Sequence, residues 1–213
     1  MAGFVNTRGR FGMTAKAWLV AFALVLFVGP ALAQIESRPT PMWEGIEKSA
    51  DDIENDNNLV RQALEITDGD ARAAAFAMAQ SGWEQISNGL PDDAIRRFNL
   101  AWLVKPDLPE IFWGFAIASH IRGDETIAVE ALFEQTRGAF DTDTRFLTDR
   151  GRILEERQLP LEARPWFEKA LALDANNIGA HFGMMRVAMA LEDKELEEEH
   201  RTRFEALIEE ENE

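Results

Sequence analysis

From residue 71 onward the chain alternates between apolar stripes of helical period and short breaks rich in glycine, proline and aspartate. Phe76, Ala79, Trp83 and Ile86 fall at intervals of three and four, which places them on one face of a helix over 71–87. Gly89-Leu90-Pro91 interrupts the stripe, and a second helix is predicted over 92–104, stopped by Pro106. The same reading predicts helices over 110–122, 125–135, 143–157, 161–173 and 178–191. Pro165 is expected in the first turn or so of the helix over 161–173, where the missing N–H has no helical partner. The last stretch, from Lys194, is acidic but carries Leu196, Phe204, Leu207 and Ile208 on one face, the pattern of a capping helix. Upstream, Asn57 and Asn58 are expected to cap a short helix through Leu59, Val60, Ala63, Leu64 and Ile66. Asp68-Gly69-Asp70 closes it and starts the next.

The helices come in pairs, and the pairs follow one template at steps of 34 and then 35 residues. Gly82, Ala116 and Gly151 keep the step, as do Gly89 with Gly123, then Ala94, Ala128 and Ala163, then Phe98, Leu132 and Phe167. Ala101 and Ala170 match across two repeats. The extra residue of the second step is expected in 138–143, where Gln135 and Phe140 replace the Ala and Pro of the template. Met185, 34 beyond Gly151, carries the register into a fourth leading helix that lacks a proper turn. Small residues at these positions let paired helices cross closely. The pattern resembles the tetratricopeptide repeat (TPR). That resemblance implies an all-α, TPR-type right-handed α-solenoid of about three and a half helix-turn-helix repeats with a C-terminal capping helix. It also implies a class of function: binding a protein or peptide partner along a curved helical surface. More narrowly, Gly82-Trp83, Arg97-Phe98-Asn99-Leu100-Ala101-Trp102-Leu103 and Trp113-Gly114-Phe115-Ala116 are similar to a group of bacterial envelope TPR proteins, often lipoproteins of unassigned function. This chain departs from them in having no lipobox cysteine. The resemblance implies a compartment and a scaffold, and supplies no catalytic residue.

The opening 33 residues change the picture of location. Arg8, Arg10 and Lys16 form a positive region, Ala17 to Val28 is apolar, and Pro30 precedes Ala31-Leu32-Ala33, a small-x-small cleavage site before Gln34. The apolar run is short for a bilayer span of roughly 20 residues. A cleaved signal peptide over 1–33 is therefore expected, with a periplasmic or secreted product and no integral span after cleavage. The expected organisation is a flexible linker over 34–55, a TPR domain over 56–192 and an acidic capping helix over 193–213. No cysteine is present, so the fold rests on its apolar core without disulfides. Cleavage would leave 19 basic against 38 acidic residues, a net charge of −19. Such a surface repels phosphate backbones and anionic lipids and argues against nucleic acid as a partner.

Catalytic chemistry finds little support. There is no Cys or Tyr, and His120, His181 and His200 are separated without metal-ligand spacing, so they read as surface or packing residues. No phosphate-binding glycine loop or nucleophile elbow occurs, and the Glu197–Glu199 and Glu209–Glu211 runs read as solvated helix faces. No enzyme, cofactor or metal is expected. The inner face of the array is more informative. Counting from the template puts Phe76, Ala79, Trp83 and Ile86 there in the first unit, and Glu110, Trp113, Ile117 and His120 in the second. Arg145, Thr148, Arg152 and Glu156 follow in the third, then Phe182, Arg186 and Met189. The partner-binding groove is expected to use Trp83, Trp113, Ile117, His120, Arg145, Arg152, Phe182 and Arg186. An extended segment would lay apolar side chains on the tryptophans and an acidic group on Arg152 and Arg186. The competing reading is that the tryptophans fill the core and the arginines pair with Glu155, Glu156 or Glu192. Arg96 and Arg97 are expected to form surface pairs with Asp92 and Asp93. A self-associating assembly subunit, or a receptor for a small ligand or cell-wall fragment, is the alternative function.

Overall fold

The computed structural model describes residues 38–136 and 138–212. Among these, a short 3-10 turn, Pro41–Trp43, precedes nine α-helices. They are α1 Ala50–Ile66, α2 Ala71–Ser87, α3 Pro91–Val104, α4 Pro109–Arg122, α5 Thr126–Glu134, α6 Thr144–Glu156, α7 Pro160–Leu173, α8 Ile178–Ala190 and α9 Lys194–Asn212. The expected signal peptide lies outside the described residues.

The leading helices α2, α4, α6 and α8 all end in the same way. Each is followed by a residue in the left-handed region: Gly89 (φ 72°), Gly123 (φ 83°), Gln158 (φ 61°) and Glu192 (φ 59°). The N–H of the next residue then reaches back to a carbonyl of the last turn. Leu90 donates to Gln85 at 2.9 Å, Asp124 to Ser119 at 2.9 Å, Leu159 to Leu154 at 2.9 Å and Asp193 to Ala188 at 3.0 Å. These are Schellman caps, which satisfy the helix's last carbonyls and reverse the chain. They recur at steps of 34, 35 and 34, so the backbone keeps the register where the side chains drift. The fourth hairpin, expected to lack a proper turn, has one. Glu192 adopts the glycine conformation at a cost of about 1–2 kcal/mol. With α9 as its second helix, the half repeat and the cap together form a hairpin.

Two further expectations are corrected. Pro160 occupies the first position of α7, where its fixed φ is pre-set for a helix, so Pro165 sits in the helix body. The helix predicted from Asn57 begins a full two turns earlier, at Ala50. Ser49 caps it, its hydroxyl accepting from the Asp52 N–H at 3.1 Å while the Asp52 carboxylate accepts from the Ser49 N–H at 3.2 Å.

The chain divides into two compact units, one ending at Ala118 and the other starting at Ser119. In the first, Phe98 on α3 is fully buried between the backbones of α2 and α4, where Gly82 and Gly114 face its ring. The stretch expected as a linker contributes as well, from Thr40 on. Met42 and Trp43 both take left-handed backbone (φ 56° and 58°), which turns the Trp43 indole into the protein, 8% exposed. The Asn99 amide of α3, itself fully buried, donates to the Thr40 carbonyl at 2.8 Å. Lys48 lies 3.5 Å over the Trp43 ring and forms an ion pair with Asp56 of α1. In the second unit Phe167 on α7 repeats the place of Phe98, between Gly151 of α6 and Gly183 of α8. Each of the three positions lies 69 residues beyond its counterpart, one 34-step plus one 35-step. Arg150 of α6 stacks 4.2 Å from Trp166 and pairs with Glu130 and Glu134 of α5 at 3.1 and 2.7 Å.

Candidate partner-binding surface

Three of the eight groove residues expected from sequence belong to the first unit, and the structure gives them unequal exposure. Trp83 is part-exposed on α2, its ring edge-on to Trp113 at 5.2 Å and to Phe98 at 5.6 Å. Trp113 is 8% exposed and Ile117 3%. Their side chains fill the space between helices, as large apolar groups in such hairpins do. Phe76, two turns before Trp83 on α2, is 38% exposed.

The other five belong to the second unit. His120, at the end of α4, donates through Nε2 to the Glu156 carboxylate at 2.6 Å. Arg152 donates to the same carboxylate at 3.2 Å and pairs with Asp149 at 3.4 Å. Glu156 is held at about 2, first by the His120 hydrogen bond and then by the charge of Arg152, against a burial effect that works the other way. Arg145, an exposed side chain, pairs with Asp143, the residue that caps its own helix, at 3.0 Å. Arg186 pairs with Glu155 at 2.8 Å. Of the first-unit arginines, Arg96 pairs with Asp93 at 2.8 Å, while burial pulls half-buried Arg97 below its ordinary value. The arginines expected to meet a partner's carboxylate thus already meet carboxylates of this chain.

The α8 face keeps more to offer. Phe182, Arg186 and Met189 lie at i, i+4 and i+7, one stripe of that helix. Phe182 is 41% exposed and rests on Phe204 of α9 at 5.4 Å between centroids. Met189 is 53% exposed, and the Arg186 guanidinium lies 6.0 Å from the Phe182 ring.

Two contacts escaped the sequence reading. Arg157, just past α6, donates to His120 Nδ1 at 3.2 Å, to the Thr126 hydroxyl at 2.5 Å and to the Asp124 carbonyl at 2.8 Å. It ties the end of one leading helix to the turn after the preceding one. A search at one repeat plus a helical turn would have paired it with His120, 37 residues earlier. The second is a contact between His181 and His200 inside the last hairpin.

Among the described residues no three metal-ligating side chains converge, and no helix is long and apolar enough to cross a membrane. No protein-family model matches the chain, and no curated protein matches it. Among solved structures it is similar to MamA, a TPR α-solenoid, with a TM-score of 0.51 at 18% identity, covering 78% of this chain and 97% of that one. The likeness agrees with the paired helices, the recurring caps and the absence of strands among the described residues: the fold is all-α, of TPR type.

Proposed function

We propose that this chain is an exported scaffold of the bacterial cell envelope that takes up a peptide segment or helix of a partner protein on the exposed faces of its leading helices. A TPR-type fold is the framework of a protein-interaction scaffold. The observation that carries the docking site is the α8 stripe, where Phe182 and Met189 stay open to solvent on either side of Arg186. A partner segment with two apolar side chains one or two turns apart, and between them an acidic group that competes with Glu155 for Arg186, fits that spacing. In the first unit Phe76 and Trp83 offer an aromatic counterpart on α2, with Trp113 and Ile117 as its support. Export rests on the basic, apolar and small-x-small succession from Arg8 to Ala33.

Site-specific photo-crosslinking in cells tests the docking site. A probe at 182 or 189 is expected to yield a discrete adduct that the Arg186→Glu variant weakens. A probe at Leu161, on the second helix of a hairpin, should not give that adduct. The same adduct from all three positions would sink the assignment.

Self-assembly is the second reading, favoured by Ile127 and Leu161. These are the most exposed large hydrophobics among the described residues, at 77% and 69%. Light scattering on the Ile127→Ser/Leu161→Ser variant tests it: a concentration-dependent mass in the parent should collapse to a monomer.

A further inference from the structure

The last hairpin closes over two imidazoles. His181 of α8 and His200 of α9 are 8% and 7% exposed, with ring centroids 5.1 Å apart and their Nδ1 atoms at 2.8 Å. At that separation one Nδ1 carries a proton and the other presents its lone pair. Which is which follows from the other end of His181. Its Nε2 lies 3.0 Å from the Ala175 carbonyl, a group that only accepts. His181 is therefore protonated on Nε2, and its Nδ1 accepts from the Nδ1–H of His200.

This arrangement limits how many protons the pair can take. A first added proton goes to Nε2 of His200 and leaves the hydrogen bond in place. A second has only Nδ1 of His181, where it would point at the Nδ1–H of His200 inside a buried seam. Two free imidazoles in an opened hairpin take both.

The surrounding charges do not remove the conflict. Glu199 on α9 and Glu168 on α7 favour protonation of His200, while Arg164 on α7 and His181 on α8 oppose it. Arg164 and Glu168 are engaged with each other at 2.6 Å. Burial, followed by His181, dominates and lowers the affinity of His200 for a proton. The same hairpin buries the apolar side chains of Met184 and Val187 on α8 and Leu207 on α9.

We propose that His181 and His200 form an acid-sensitive latch: the second proton releases α9 from α8 and uncovers the apolar seam between them, while the α2–α3 hairpin stays folded. The direction follows from linkage. The closed pair has room for one added proton and the open pair for two, so the closed hairpin binds fewer protons. The latch is then fully closed above about pH 6.5 and loosens as pH falls below it. For one excluded proton, the open population rises about tenfold by pH 5.5.

Hydrogen exchange of the full chain at pH 7.5 and 5.5, corrected for intrinsic rates, should show protection of α9 falling about tenfold while α2 and α3 keep theirs. The His181→Phe/His200→Phe variant should lose that pH dependence. Should the variant fail to fold, 15N NMR of the imidazoles in the parent decides. His181 is expected as the Nε2–H tautomer, with no more than one proton added while α9 remains protected. Equal α9 protection at the two pH values overturns the proposal, as does full protonation of both rings with α9 still closed, or an acid-induced loss that persists in the double Phe variant.

Discussion

The ring of Phe98 occupies the space that a side chain at Gly114 would need. A Cβ placed on Gly114 would stand 2.2 Å from Phe98 Cζ, and Gly183 stands in the same relation to Phe167 at 2.3 Å. A Cβ placed on Gly82 or Gly151 would likewise meet the Phe98 or Phe167 ring, at 2.7 and 2.8 Å. Two helices thus approach a phenylalanine edge as closely as bare backbone allows.

That relationship decides the sign of a common substitution. Alanine in place of a helical glycine ordinarily gains about 1 kcal/mol from propensity. At Gly114 overpacking of about 1–3 kcal/mol or more opposes it. Gly114→Ala is expected to destabilise by about 2 kcal/mol in urea melts. Adding Phe98→Leu should recover part of that loss, a non-additivity that separates overpacking from a general helix effect.

The non-glycine caps predict the reverse. Gln158 and Glu192 sit at φ 61° and 59°, where glycine is free of strain. Glu192→Gly and Gln158→Gly should each stabilise by roughly 0.5–1 kcal/mol after the entropy of the freer unfolded chain is counted. Thermal melts with Glu192→Ala as the control would check this, since alanine keeps the strain.

Glu156 predicts an acid response distinct from that of the histidine latch. Its carboxyl lies near 2 when folded and at 4.5 as a free side chain, so the folded state binds fewer protons between those values. The stabilisation is complete above 4.5 and is lost as pH falls toward 2. Its side chain is 37% exposed, and solvent screening keeps the contribution small. The parent should lose more stability than Glu156→Gln between pH 5 and 2.5. Parallel curves would show that the His120 and Arg152 contacts contribute nothing.

Trp43 predicts a local effect. Trp43→Ala empties a buried aromatic site, a change that costs about 3 kcal/mol where the surroundings cannot collapse. The segment before α1 should then become a site of limited proteolysis while α2 and α3 keep their hydrogen-exchange protection.

Legibility divided along physical lines. The extents of the paired helices from Ala71 on, the 34 and 35 steps and the small residues at Gly82 and Gly151 could be read because each has a local chemical signature: period, small size, or an obligatory turn residue. Glu192 hid the fourth turn because an L-residue carries no outward sign of left-handed backbone. The docking of the segment around Trp43 hid because it rests on long-range contacts such as that of Asn99 with Thr40, 59 residues apart, in a segment whose prolines and polar residues suggested a tether. The groove arginines were ambiguous for another reason. Acidic neighbours lie within a turn for Arg145 and Arg152 and on the preceding leading helix for Arg186, and only geometry tells a pairing side chain from a waiting one. His181 and His200 looked solitary because their meeting depends on the fourth hairpin closing.

The hold of Asn99 on Thr40 has a consequence for attachment. From Ala33, the expected cleavage position, to Thr40 the chain can reach at most about 25 Å even fully extended. A retained leader would moor the body directly against the bilayer surface, with little freedom to turn. A removed one would leave it free to diffuse, so a single proteolytic event would separate a membrane-bound fitting from a mobile one.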